Sequence, residues 1–107
     1  MFIELSVPCT EEYGLLLQKL IAGIGQLWNM DLDQFFELTL VVTKAFDGAE
    51  KTSPEAVFKV RLNRLDTNRI QVNIDSDSPM DTETYRLFIM PYMEKEIERF
   101  KKVILLI

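Results

Sequence analysis

A chain of 107 residues is one domain, long enough for a single core and too short for a catalytic domain joined to a regulatory one. Its 48% hydrophobic and 27% charged residues exclude a disordered tail, and a net charge of −5 with no basic stretch between aromatics speaks against a nucleic-acid partner. Histidine is absent and Cys9 is the one cysteine, which excludes Ser-His-Asp and Cys-His catalysis, an intramolecular disulfide and most zinc sites.

The twelve basic residues are scattered, and Lys101-Lys102, the only adjacent pair, reads as a solvated edge. Cys9, between Pro8 and Thr10, reads as a structural thiol at a strand-to-helix junction. The N-terminus lacks the basic-then-apolar pattern of a signal peptide, and no apolar run approaches the ~20 residues of a membrane span. The expected setting is reducing and cytoplasmic.

In chain order, residues 2–7 alternate Ile3, Leu5 and Val7 with Glu4 and Ser6, a half-buried strand that Pro8 ends. Thr10 can cap a helix whose first turn carries Glu11 and Glu12 and which runs to about Trp28. Its apolar stripe is Leu16, Leu20, Ile24 and Leu27, with a second flank at Leu17, Ile21 and Trp28; Tyr13, Gln18 and Gln26 are expected outside. Asn29-Met30-Asp31 breaks the pattern. Asp31 with Gln34 forms a capping-box spacing that opens a second helix to about Lys51, with Phe35, Leu38, Val42, Ala45, Phe46 and Ala49 at helical spacing.

After Thr52-Ser53-Pro54 come two alternating strands, residues 57–63 with Phe58, Val60 and Leu62 inward, and 70–75 with Ile70, Val72 and Ile74 inward. Asp66-Thr67-Asn68 suits the hairpin turn between them, and residues 75–79 are a loop by composition. A third helix is predicted over about 82–100, with Leu87, Met90, Met93 and Ile97 on one face and Pro91 kinking it or delaying its start. Residues 103–107 read as a buried terminal strand. The expected fold is an α/β (α+β) two-layer sandwich of order β-α-α-β-β-α-β: a mixed, mostly antiparallel sheet with three helices on one face.

Two segments carry a resemblance. In the second helix, Leu40 to Thr52 gives an apolar lead-in followed by Ala45 and Ala49, with Lys44, Gly48 and Thr52 at the remaining positions of a repeating frame. In the loop, Asp75-Ser76-Asp77-Ser78-Pro79-Met80-Asp81 frames Asp77 with Asp75, Pro79 and Asp81. With the element order, these resemble the GHKL-type (histidine-kinase-like) ATPase domain, closest to the anti-sigma-factor serine kinases of partner-switching systems. The resemblance spans nearly the whole chain, but its motifs are degenerate. Lys44 stands where that family has its catalytic Glu, Gly48 where it has the Mg²⁺-holding Asn, Thr52 where it has His, and Asp77 where it has the loop glycine. The lid glycines before Leu87-Phe88-Ile89 are missing.

Each departure removes one piece of MgATP chemistry. A lysine is a poor proton acceptor at neutral pH, a glycine offers a metal no side-chain oxygen, and Asp77 adds a negative charge and a side chain where backbone must approach phosphate. Without glycines no phosphate cradle forms. The resemblance therefore implies a decayed nucleotide pocket at Lys44, Gly48, Asp75, Asp77 and Pro79, with no catalytic residue, metal or cofactor. It implies a non-catalytic interaction module whose partner is a protein such as a sigma factor or an antagonist domain, with a homodimer through a sheet edge or the first helix as a further form. The alternatives are an active ATP- and Mg-dependent serine protein kinase that recruits Glu37 or Asp47, and a sensor of some other small ligand. If the likeness is coincidental, Ala45 and Ala49 are helix-packing residues and 75–81 is a turn.

Overall fold

The computed structural model describes residues 2–107. Strand β1 (Phe2–Pro8) leads into helices α1 (Glu11–Leu27) and α2 (Leu32–Thr52). The hairpin β2 (Val57–Asp66) and β3 (Arg69–Ser76) follows. A short α3 (Thr82–Thr84) continues as a π turn (Tyr85–Ile89) and a 3-10 turn (Met90–Tyr92), before strands β4 (Met93–Glu98) and β5 (Lys102–Leu106). The five strands form one sheet of order β1-β2-β3-β5-β4. All four pairings are antiparallel, so the sheet has no mixed portion. The α+β sandwich expected from the sequence is present, with one strand more: β-α-α-β-β-α-β-β.

The extra strand corrects the predicted helix over 82–100. Pro91 donates no backbone hydrogen bond, and the helix loosens just before it: the Met90 N–H reaches back five residues to the Tyr85 carbonyl. Past Tyr92 the chain is extended. Met93–Glu98 is rich in good helix formers, yet with the helix broken it pairs along β5, through two register shifts. Of the face predicted for that helix, Leu87, Met90 and Ile97 are exposed and Met93 is half-buried against the core.

The alternation read in β2 and β3 is present. Phe58, Val60, Leu62, Ile70, Val72 and Ile74 are buried beneath the helices, with Val103 and Leu105 of β5 beside them. Gln71, Asn73 and Asp75 fall on the opposite, uncovered face. On α2 the predicted positions are all buried except Phe35, which is half-buried. Phe46 meets Phe58 edge-to-face at 5.4 Å, joining α2 to β2 at the centre of the core.

Helix α1 is rotated relative to expectation. Leu17, Ile21, Ile24 and Trp28 are buried, whereas Leu16, Leu20 and Leu27 of the predicted stripe are 43%, 36% and 72% exposed. Both stripes are apolar, so periodicity could not choose between them. Contact with α2 does: a Cβ on Gly25 would lie 2.5 Å from the Phe35 ring, and one on Gly14 3.0 Å from Phe46, so both glycine faces must turn toward α2. Asn29, at φ 49°, ends the helix in the left-handed region, and the Met30 N–H bonds the Gly25 carbonyl at 3.0 Å. Thr10 precedes α1 as predicted but makes no side-chain cap, while Asp31 caps α2 by accepting from the Gln34 N–H at 2.8 Å. The capping box is not reciprocal, because the Gln34 side chain turns to the Ile107 carbonyl.

Truncating Phe46 to Ala should lower unfolding stability by about 3–5 kcal/mol in urea titrations, the usual cost of deleting a buried ring. Leu27→Ala should cost under about 1 kcal/mol, because that side chain, 72% exposed, already faces water. Equal losses would put α1 in the rotation the sequence first suggests.

Candidate functional site

The five residues of the expected pocket do not share one cavity. Asp75 sits on β3 opposite Lys59 of β2 and Lys102 of β5, on the uncovered face of the sheet, away from α2. Asp77 closes the end of the β2–β3 hairpin: its N–H donates to the Val57 carbonyl at 3.0 Å, and its Oδ2 accepts from the Val57 N–H at 3.3 Å. Its carboxylate holds backbone.

Gly48, Pro79 and their neighbours do come together, as a packing joint. The buried Ser78 hydroxyl donates to the Ala49 carbonyl at 2.8 Å, and the Thr52 hydroxyl reaches the Pro79 carbonyl. The loop is thereby pinned on the last turns of α2. Asp81 then caps α3 by accepting from the Thr84 N–H at 3.3 Å. A Cβ on Gly48 would lie 2.9 Å from Asp81 Oδ1 and 3.0 Å from the Thr84 methyl carbon. Glycine is needed here because the following helix packs directly on α2 at this point. The Thr84 side chain and N–H, both facing the carboxylate, hold Asp81 below the usual carboxylate range.

Lys44 lies one turn earlier on α2, with Nζ 5.2 Å from the centre of the Phe88 ring, within cation–π range. Between α2 and the π turn runs an open cleft of ≈ 370 Å³, lined by Lys44 and Lys51 against Asp47, Glu50 and Glu83, with Phe88 beside them. Three carboxylates against two ammonium groups make a lining that disfavours a polyphosphate. Among the described residues no group of three or more acidic or thiol side chains is placed to hold a metal ion. Cys9 is fully buried, and burial, followed by the charges of Glu50 and Asp77, pushes its thiol up to about 11, so it is no nucleophile at neutral pH.

Thr84, Phe88 and Ser78 were not among the site residues expected from the sequence. Asp81-x-x-Thr84 is a helix-capping spacing, a signal open to sequence reading once the segment is allowed a new helix start. Phe88 and Ser78 had no such signal, because their partners, Lys44 and Ala49, are distant in sequence.

Comparison with known proteins finds no family model that matches this chain and no curated protein similar to it. Among the described residues no helix is long and apolar enough to cross a membrane.

The joint extends to the sheet through Tyr85, whose hydroxyl donates to Glu96 of β4 and whose ring meets Phe100 edge-to-face at 4.7 Å. Burial, reinforced by the Glu96 carboxylate, pushes the Tyr85 phenol up to about 12. A raised folded-state pKa contributes stability that is complete below the unfolded phenol value and lost as pH climbs through the folded one. Stability should therefore fall between about pH 10 and 12, with the Cys9 thiol contributing to the same limb. Tyr85→Phe should flatten that limb in denaturant titrations; an unchanged slope would remove Tyr85 as its source.

Filling the joint at Gly48 gives a second check. Gly48→Asn should destabilise the fold by about 1–3 kcal/mol through overpacking against Asp81 and Thr84. A neutral or stabilising result in chemical denaturation would mean that α3 does not rest on α2.

Proposed function

We propose that this chain is a non-catalytic protein-interaction module of the cytoplasm. It would be a relative in form of the anti-sigma-factor kinases, whose ATP-binding function has been lost and whose surfaces carry its activity. The observation that carries this reading is the joint at Gly48. The space that a metal-holding side chain on α2 would need is taken by Asp81 and Thr84 of the chain itself.

Three further features support it. Lys44 is engaged with Phe88 and presents an ammonium group where a base would be required. Asp75 lies across the sheet from α2, so it cannot meet a base bound beside Gly48. The cleft that remains is rimmed mainly by carboxylates. A scaffold with these features acts by what it touches, and the partner class the resemblance implies is a protein, a sigma factor or an antagonist domain.

Calorimetric and thermal-shift titrations with MgATP test this directly. The expected result is no heat and no change in Tm at millimolar nucleotide, since a ligand that does not bind the native state cannot stabilise it. Micromolar affinity would overturn the reading and favour a kinase with unusual motif residues.

A further inference from the structure

A groove runs along the solvent side of the helical layer, between α1 and α2. The two helices are antiparallel and close, with Gly14 against Phe46 and Gly25 against Phe35. A hollow lies at each glycine. One, of ≈ 160 Å³, is lined by Gly14, Leu15 and Phe46 and by the acidic residues Glu11, Asp47 and Glu50. The other, of ≈ 430 Å³, is lined by Ala22, Gly25, Met30, Leu32 and Phe35 and has no charged residue.

Gly14 and Gly25 are about 16 Å apart along α1 and, at 100° per residue, lie within about 20° of one another on its surface. The two hollows are therefore the two ends of one furrow, with Gln18, Thr43 and Ala22 along it. Apolar side chains stand in water on its rims: Leu15, Leu32 and, one turn further along α2, Phe36 are all exposed.

The charge of the molecule is gathered on these helices. Residues 10–56 hold eight carboxylates and three lysines, a net −5 that equals the net charge of the whole chain, so the rest of the chain is neutral overall. Carboxylates at one end of the furrow and bare carbon at the other set the chemistry of what can lie in it. Positions i, i+4, i+7 and i+11 of an α-helix share one face over about the same 16 Å, so a single amphipathic helix reaches both hollows. Its residue at i must then be Lys or Arg, and its residue at i+11 large and apolar. A second copy of this chain would bring the same negative excess against itself, which argues against self-association here.

We infer that the groove between α1 and α2 docks a basic amphipathic helix of a partner protein, with a Lys or Arg beside Glu11, Asp47 and Glu50 and a large apolar side chain in the hollow at Gly25 and Phe35. The docked helix covers the apolar rims at Leu15, Leu32 and Phe36. This docking site gives the interaction-module reading its partner chemistry and rests on that reading. The two fail separately: MgATP binding would overturn the reading without involving the groove, and a groove that binds no helix would leave the nucleotide result as it stands.

The probe is a synthetic helical peptide of about 18 residues with Arg at i, Leu at i+4, i+7 and i+11, Ala between them and Lys on the far face. Titrated into isotope-labelled protein, it should shift the amide signals of Gly14, Gln18, Ala22 and Gly25 with a Kd of roughly 10 µM, the scale of a small interface. The same peptide with its Arg and Lys replaced by Glu should not bind. Ala22→Lys, which fills the furrow from an exposed helix position, should raise Kd about tenfold or more while far-UV circular dichroism stays unchanged. Glu11→Lys with Asp47→Lys should do the same. Glu94→Lys with Glu98→Lys, an equal change of charge at exposed positions of β4, should leave Kd where it was. No amide shifts at ~200 µM peptide would overturn the inference, given that micromolar expectation. So would binding of the acidic peptide, shifts centred on the Lys44–Phe88 cleft, or an unchanged Kd in Ala22→Lys. An affinity that falls as far with the β4 reversals as with the helix ones would mean diffuse charge attraction and would overturn it too.

Discussion

The close approach at Gly48 is the constraint on which the path of the chain after the β2–β3 hairpin depends. Where α2 has no side chain, the turn from Asp81 to Thr84 settles onto it, and its position decides the path of everything after it. From that turn the chain runs through Tyr85, buried and bonded to Glu96, so the same joint sets β4 against the sheet. Ser78 and Thr52 secure the incoming side by bonding backbone across the loop. A larger residue at position 48 would have to move Asp81, and with it the cap of α3. A glycine that looks like a lost metal ligand in the sequence is, in the fold, a condition for packing.

How much was legible follows from which forces are local. The β2–β3 hairpin was readable because alternation and turn chemistry act over a few residues, and the Asp31 cap because its acceptor and donor are three residues apart. The rotation of α1 was not, since two apolar stripes compete and the choice is made by rings on α2 against Gly14 and Gly25. Strand β4 was missed because Glu, Lys and Met favour helix locally. Glu94, Glu96 and Glu98 nevertheless recur with period two, which is the strand signature. At the candidate site, the placement of Gly48 and Pro79 near one another was legible. The placement of Asp75 was legible as well, because a strand with Ile70, Val72 and Ile74 inward sets residue 75 on the outer face, but the resemblance assigned it to a pocket against that parity.

These features divide the molecule into an interior that is closed and an exterior that is not. On the helix side of the sheet Asp81 and Thr84 fill the space against Gly48, and the open cleft beside them has Lys44 drawn over the Phe88 ring. On the outside, one sheet edge is charged and irregular, and the other is smooth and continuous with exposed leucines. Exposed apolar surface of that extent, beside unpaired backbone, is costly in water unless it is covered.

At Gly48, α3 rests on α2, and Asp81 and Thr84 take the space a side chain there would need. The most direct measurement is a nuclear Overhauser contact in solution between the Gly48 α-protons and the Thr84 methyl group, recorded with and without millimolar MgATP. A strong contact, unchanged by nucleotide, is the expected result. Its absence, or its loss when MgATP is added, would show that α3 does not hold its place on α2.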